Sequence, residues 1–452
     1  MMAQDGRGNE VSSGSESTLA GVSDFVEGFL GYETRALNVL AAAEADPEAA
    51  LAQVYAGILN MFACVPGCDA DARYWLDRAR NAEANANARE RMNIAMLEAW
   101  VEGDVPKALA IGDEIIEAYP RDLAALKLHQ TLNFGRGDAP AMLRVARKAL
   151  PANPDDPHLL GMLAFGYEEC HFLDRAESAA RQALELTERE PWAQHAIAHV
   201  MLTEGRVKEG AAFLEAASAG WEGLNSFMYT HNWWHRALFM ISLGDKAGVL
   251  GAYDRHCWAC DQDYAEDQIG AVSLLARMEF AGFDVGDRWS ALGERLVPRA
   301  TDTLAPFMTM QYLYGLAKAE RGEADTLMQA VEARAAAAAP FERVAWQHVA
   351  LPACRGLRAH ARGEMEEAVA QLSLAMPRMM EVGGSHAQRD LFAQVLLDAH
   401  IKAGNFVTAQ QMLESRRRFD PDGVPLNRML AGVYEKLGLL DEASEARARH
   451  YH

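Results

Sequence analysis

Two pairs of histidines four residues apart hold the densest concentration of reactive side chains in this chain. They are His195 and His199 in the stretch His-Ala-Ile-Ala-His, and His231 and His235 in His-Asn-Trp-Trp-His. Residues four apart on an α-helix stand one above the other on one face, so each pair can present two imidazoles side by side. With fourteen histidines in 452 residues, chance supplies roughly 0.4 such pairs. Imidazole is the commonest protein ligand for zinc and also suits iron. If the four rings share one pocket, they make a candidate site for a divalent metal, Zn or Fe. The same rings could act without metal as general acids and bases, or simply line a groove and hydrogen bond to neighbours.

The spacing is not that of a zinc protease. In the HExxH pattern a glutamate follows the first histidine as general base, and here Ala196 stands in that slot. A carboxylate has to come from elsewhere. Glu204 lies one turn beyond His199, and Asp263 and Asp267 form another four-apart pair further on. Cys257-Trp-Ala-Cys260 has the spacing of a redox or half-zinc motif, yet without a second pair it reads first as two buried thiols. Gly383-Gly384-Ser385 opens onto a helix that Ser385 would cap, where free backbone N–H groups attract anions.

The elements that must position these residues are helices. From about Ser17 onward Ala, Leu, Glu and Arg dominate and runs of β-branched residues are absent, which predicts helix throughout. A period runs through them. Gly103, Gly137, His171 and Gly205 stand 34 residues apart, Pro120 and Pro154 repeat the step, and Ala108, Ala176 and Gly210 follow the turn by five. Glycine turns the chain, a small residue lets two helices approach, and proline ends the second one. This is the period of tetratricopeptide repeats. Gly404 and Gly438 restore the step of 34 near the C-terminus, with Gly322, Gly363 and Gly244 continuing the series at wider intervals. An insertion of five falls at Gly220–Leu224, and the register is lost between Tyr253 and Ala305.

The expected object is therefore all-α, a superhelical stack of tetratricopeptide-type hairpins (an α-solenoid). It forms a single repeat domain over 17–452, with clear registers at about 89–220 and 390–448. Residues 1–16, polar and rich in Gly and Ser, read as a disordered tail. Counting within the repeat puts His195 and His199 on the groove-facing stripe of a first helix, and His231 and His235 on that of the next. Trp233 and Trp234 read first as hairpin core.

Composition narrows the partners. The formal charge is −21, and the longest basic run is Arg416-Arg417-Arg418, so neither nucleic acid nor an anionic membrane surface is an expected partner. No apolar run reaches the eighteen or so residues that span a bilayer. Six cysteines are too few for a disulfide scaffold and fit a reducing compartment. The expected address is cytoplasmic.

Several segments together resemble a known family. His195–Val200, the run Thr230–Asp245, Tyr253–His256, Asp284–Trp289 and Glu381–Asp390 look like the tetratricopeptide repeat protein 38 family, in order over roughly 90–440. The resemblance implies an all-helical repeat protein of the cytosol and carries no settled activity. It points to His195, His199, His231, Asn232, Trp234, His235, Asp263, Asp267, Gln388, Arg389 and Asp390 as the site. The first eighty residues and the Cys257–Cys260 motif gain nothing from it.

Two functions of different class follow. In one, a concave groove lined by the histidine motifs binds a partner peptide, a protein or a small polar ligand. In the other, the same groove is an enzyme site, with His195, His199, His231 and His235 catalytic or metal-bound and Asn232, Trp234, Asp263, Asp267, Gln388, Arg389 and Asp390 holding a small polar molecule. Whether the protein is an enzyme stays open on sequence alone. The charge makes its own prediction. At about 0.15 M salt, where screening leaves only about 8 Å of electrostatic reach, the protein should pass through a heparin column; retention there would reveal a hidden basic face.

Overall fold

The computed structural model describes residues 3–12 and 15–449. These residues form antiparallel helical hairpins, and among them the only strands are Ala3–Gln4 and Glu10–Val11. Ten of the hairpins close in the same way. The residue after the first helix takes a left-handed conformation, at Gly103, Gly137, His171, Gly205, Gly244, Gly282, Glu320, Gly363, Gly404 and Gly438. The next backbone N–H then reaches the carbonyl five residues back, as in Asp104 to Ala99, Phe172 to Tyr167, Arg206 to Met201 and Leu439 to Tyr434. This is the Schellman closure, and it satisfies carbonyls that a helix end leaves without partners. Where aspartate follows the glycine it also caps the second helix: Asp104, Asp138 and Asp245 accept from the backbone N–H of Lys107, Ala141 and Gly248.

The 34-residue steps thus mark real turns, with His171 occupying the left-handed slot as its position implies. Two turns differ from expectation. The chain turns at Glu320 and not at Gly322, which has an ordinary right-handed conformation. A further hairpin, Ala265–Phe280 with Arg288–Leu296, turns at Gly282 inside the stretch where the register is lost. Pro352 follows a π-type turn at Ala345–Ala350. A wider turn at that point accommodates the missing N–H and the ring.

The described residues fall into two compact units. The first holds the chain up to Ala196 together with Trp221–Met228; the second holds Ile197–Gly220 and everything from Tyr229. In the first unit the described part of the N-terminal segment, expected to be disordered, is a small hairpin in which Ala3 pairs with Val11 and Gln4 with Glu10. Arg7 pairs with Asp156 and Glu27, and Arg89 donates to the Glu10 carbonyl, so these contacts hold the hairpin to the helices. The five-residue insertion has a fixed place in that unit too. Trp221, 1 % exposed, donates to Gln194, and Leu224 bridges to Glu33.

In the second unit, the helices that matter for the site are Ser226–Ser242, Ala265–Phe280 and His386–Lys402, with the segment of Pro191–Thr203 that follows Ala196. Small residues control how closely helices pack. A Cβ added at Gly210 would run into the ring of Phe239, whereas one added at Gly270 would meet nothing within 4 Å. Gly210→Val should therefore destabilise the protein by about 1–3 kcal/mol through overpacking. Gly270→Ala should stabilise it by about 0.5–1 kcal/mol by removing glycine's entropy from a helix. Urea midpoints of the two variants moving in the same direction would contradict this packing.

Candidate functional site

The Ser226–Ser242 helix carries the second histidine pair, and its spacing works as the sequence suggests. The Nε2 atoms of His231 and His235 lie 3.2 Å apart, with their rings nearly perpendicular at 88°. His199 joins them: its ring centroid is 4.5 Å from that of His235. One ring nitrogen from each of His199, His231 and His235 lies within 4.8 Å of the others. All three side chains are buried, at 0 %, 9 % and 0 % exposure respectively.

Burial decides the charge of His231. It pushes the His231 imidazole down to about 3, with the neighbouring His199 as a second, smaller cause. At neutral pH this ring is uncharged and its lone pair is available to a Lewis acid. Two Nε2 atoms in contact can share only one proton, so one ring of the pair donates to the other. A metal ion can take the place of that proton.

The donor set fits a transition metal. Tetrahedral zinc with Zn–N bonds of about 2.0–2.1 Å separates its ligand nitrogens by about 3.4 Å. The His231–His235 separation of 3.2 Å already matches that, and a His199 ring nitrogen lies within 4.8 Å of both. Three neutral imidazoles are the ligand set of a catalytic zinc centre, which keeps a fourth position open.

A fourth histidine comes from a place the sequence reading passed over. His386, the first residue of the His386–Lys402 helix, puts its Nε2 3.4 Å from Nδ1 of His199. The Gly383–Asp390 motif was singled out for Gln388, Arg389 and Asp390, and these three do other things. Gln388 completes a reciprocal cap with Ser385: the Ser385 backbone N–H donates to Gln388 Oε1 at 2.9 Å, and the Gln388 N–H to Ser385 Oγ at 3.2 Å. Arg389 donates to the Gly384 carbonyl. Asp390 is gripped by Arg416 at 2.9 Å and lies 4.0 Å from Arg277, and these guanidiniums hold its carboxyl far below the usual range. They shape the helix start that aims His386.

The two aspartates part company. Asp267 is buried and accepts a 2.7 Å hydrogen bond from Thr230 Oγ1, one residue before His231. Asp263 is exposed and lies 3.5 Å from Arg295. The helix starts only at Ala265, after Tyr264 in extended conformation, so the two do not share a helix face. His195 belongs to the first unit, buried at 1 % exposure with its ring stacked on Trp192 at 4.3 Å and 16°.

Arg277, absent from the sequence reading, ties the second unit's site together. It is 3 % exposed. It donates to Ser273 and, at 2.7 Å, to the Ala387 carbonyl next to His386, and its guanidinium lies 5.3 Å over the Trp234 ring. Trp234 in turn lies parallel to His231 and edge-on to His235. No sequence signal marks Arg277, which is one arginine among many on an amphipathic helix. Cys257, buried, and Cys260, exposed, are free thiols, so the expected pair of buried thiols is only half met, and desolvation raises both above the ordinary thiol value.

Comparison with known proteins adds the fold's neighbours and no family. No protein-family model matches the chain. Among solved structures it is similar to the human IFIT1 dimer with m7Gppp-AAAA, at 13 % identity and TM-score 0.43, covering 99 % of this chain and 95 % of that one. It is similar also to yeast Tom70 (16 %, TM-score 0.29, 96 % and 84 %) and to the P58(IPK) TPR domain (14 %, TM-score 0.23, 81 % and 94 %).

The depressed His231 gives a signed prediction for the metal-free protein. The unfolded chain binds this proton near pH 6.5, the folded one only near 3. Stability from this group is therefore complete above about pH 6.5 and is lost as the pH falls from there towards 3. The urea midpoint should drop between pH 7 and pH 4.5, and His231→Gln should flatten that drop. An equally steep decline in the variant would assign the acid sensitivity to other groups.

Proposed function

We propose that this protein is a tetratricopeptide-type helical-hairpin protein, of the kind represented by the tetratricopeptide repeat protein 38 family, whose second unit binds a divalent transition metal on His199, His231 and His235. The convergence of three ring nitrogens within 4.8 Å carries this reading. Neutral imidazoles in a buried setting are poor proton carriers and good metal ligands. A zinc or iron ion there would polarise a ligand as a Lewis acid. The chain's own groups would orient it: Arg277 fixes Trp234 over the histidines, and the Ser385–Gln388 cap fixes His386.

This favours a small polar ligand over a peptide among the expectations for the histidine motifs. A peptide lying in a groove needs exposed contact residues, and these rings are at most 9 % exposed. Hairpin repeats generally support protein or peptide binding through their outer surfaces, and that role is compatible with a metal inside. The enzyme reading rests on the open coordination position.

Protein purified without a histidine tag and stripped with chelator should take up a single equivalent of Zn(II) or Co(II) by calorimetry. His199→Ala with His235→Ala should abolish uptake while the far-UV circular dichroism stays nearly unchanged. Undiminished uptake by the double variant would end the proposal.

A further inference from the structure

Asn232 stands between the two histidines of the second pair. It is 0 % exposed, and neither its Nδ2 nor its Oδ1 has a hydrogen-bond partner among the described residues. Trp234, 2 % exposed, has an Nε1 in the same condition. Buried amides and indole N–H groups are almost always partnered, because leaving them unpaired forfeits hydrogen bonds they make freely in water. Two such side chains in one helical turn, flanking metal-competent histidines, point to a ligand that supplies what the protein does not.

The chemistry of that ligand can be narrowed. The indole N–H can only donate, and the amide nitrogen brings two more donors. The fixed charges around them balance. Arg277 lies over the Trp234 face, Arg416 backs it through Asp390, and Asp390 and Asp267 are the carboxylates packed nearby. A metal on the histidines would therefore leave the region net positive and favour an anion. Size is limited as well, since the side chains that would surround the ligand are buried to within 9 % of full coverage.

On the reading that His199, His231 and His235 hold a metal, we propose that Asn232 and Trp234 form the receptor for a small anion of a few non-hydrogen atoms, bound at the metal's open position. The donors take its lone pairs, and the enclosure excludes anything the size of a peptide or an aromatic acid. The site is therefore selective by volume first and charge second.

Cobalt provides the test, because its visible spectrum reports changes in its ligands directly. Azide should shift the spectrum of the Co(II)-loaded protein saturably, and benzoate at the same concentration should leave it unchanged. Asn232→Leu and Trp234→Phe should each weaken azide at least tenfold while binding the same cobalt equivalent; either variant alone decides the matter if the other does not fold. Azide affinity unchanged in a folded, cobalt-loaded variant would overturn the receptor, as would a wild-type spectrum indifferent to azide, and both would leave the metal site standing. Benzoate binding as well as azide would overturn the size limit. Failure of the wild-type protein to take up cobalt would overturn both readings together.

Discussion

A single buried guanidinium holds the second unit's site in order. Arg277 reaches three things at once: Ser273 on its own helix, the backbone at Ala387, and the face of Trp234. Burying a guanidinium is unfavourable, and burial draws Arg277 down to about 10, with Asp390 opposing. It persists because both terminal nitrogens of its planar fork meet an acceptor. Through Ala387 it fixes the start of the His386–Lys402 helix, and through Trp234 it backs the ring that His231 lies against. Without it, the histidines on separate helices would have packing but no common anchor.

The same part of the molecule tolerates features that a merely stable core would avoid. Imidazoles stand against one another, and an asparagine amide is enclosed without partners among the described residues. Hairpin repeats can carry such a region because each Schellman turn and aspartate cap stabilises its own hairpin locally. Departures from local consistency of this kind are expected at functional sites.

Much of this was legible in the sequence. The period of 34 is visible because a left-handed turn needs glycine or an occasional substitute, and that chemistry repeats with the backbone. The turn at Glu320 escaped because a non-glycine residue in that conformation leaves no trace in composition. The histidine pairs could be read from helical spacing alone, and His231 with His235 met that expectation. Asp263 and Asp267 did not, since four-apart spacing has meaning only inside one helix. His386 and Arg277 come to the site from residues far along the chain, and such contacts depend on how helices stack, which no local pattern encodes.

The division into two units has a consequence for how the chain can be taken apart. The backbone passes from one unit to the other after Ala196, after Gly220 and after Met228. Two of these crossings fall inside helices, Pro191–Thr203 and Ser226–Ser242, the very segments that carry the histidine pairs. A protease cutting at any one exposed loop therefore leaves the halves covalently or helically joined. Neither unit is a continuous piece of sequence that a gene could lose or donate.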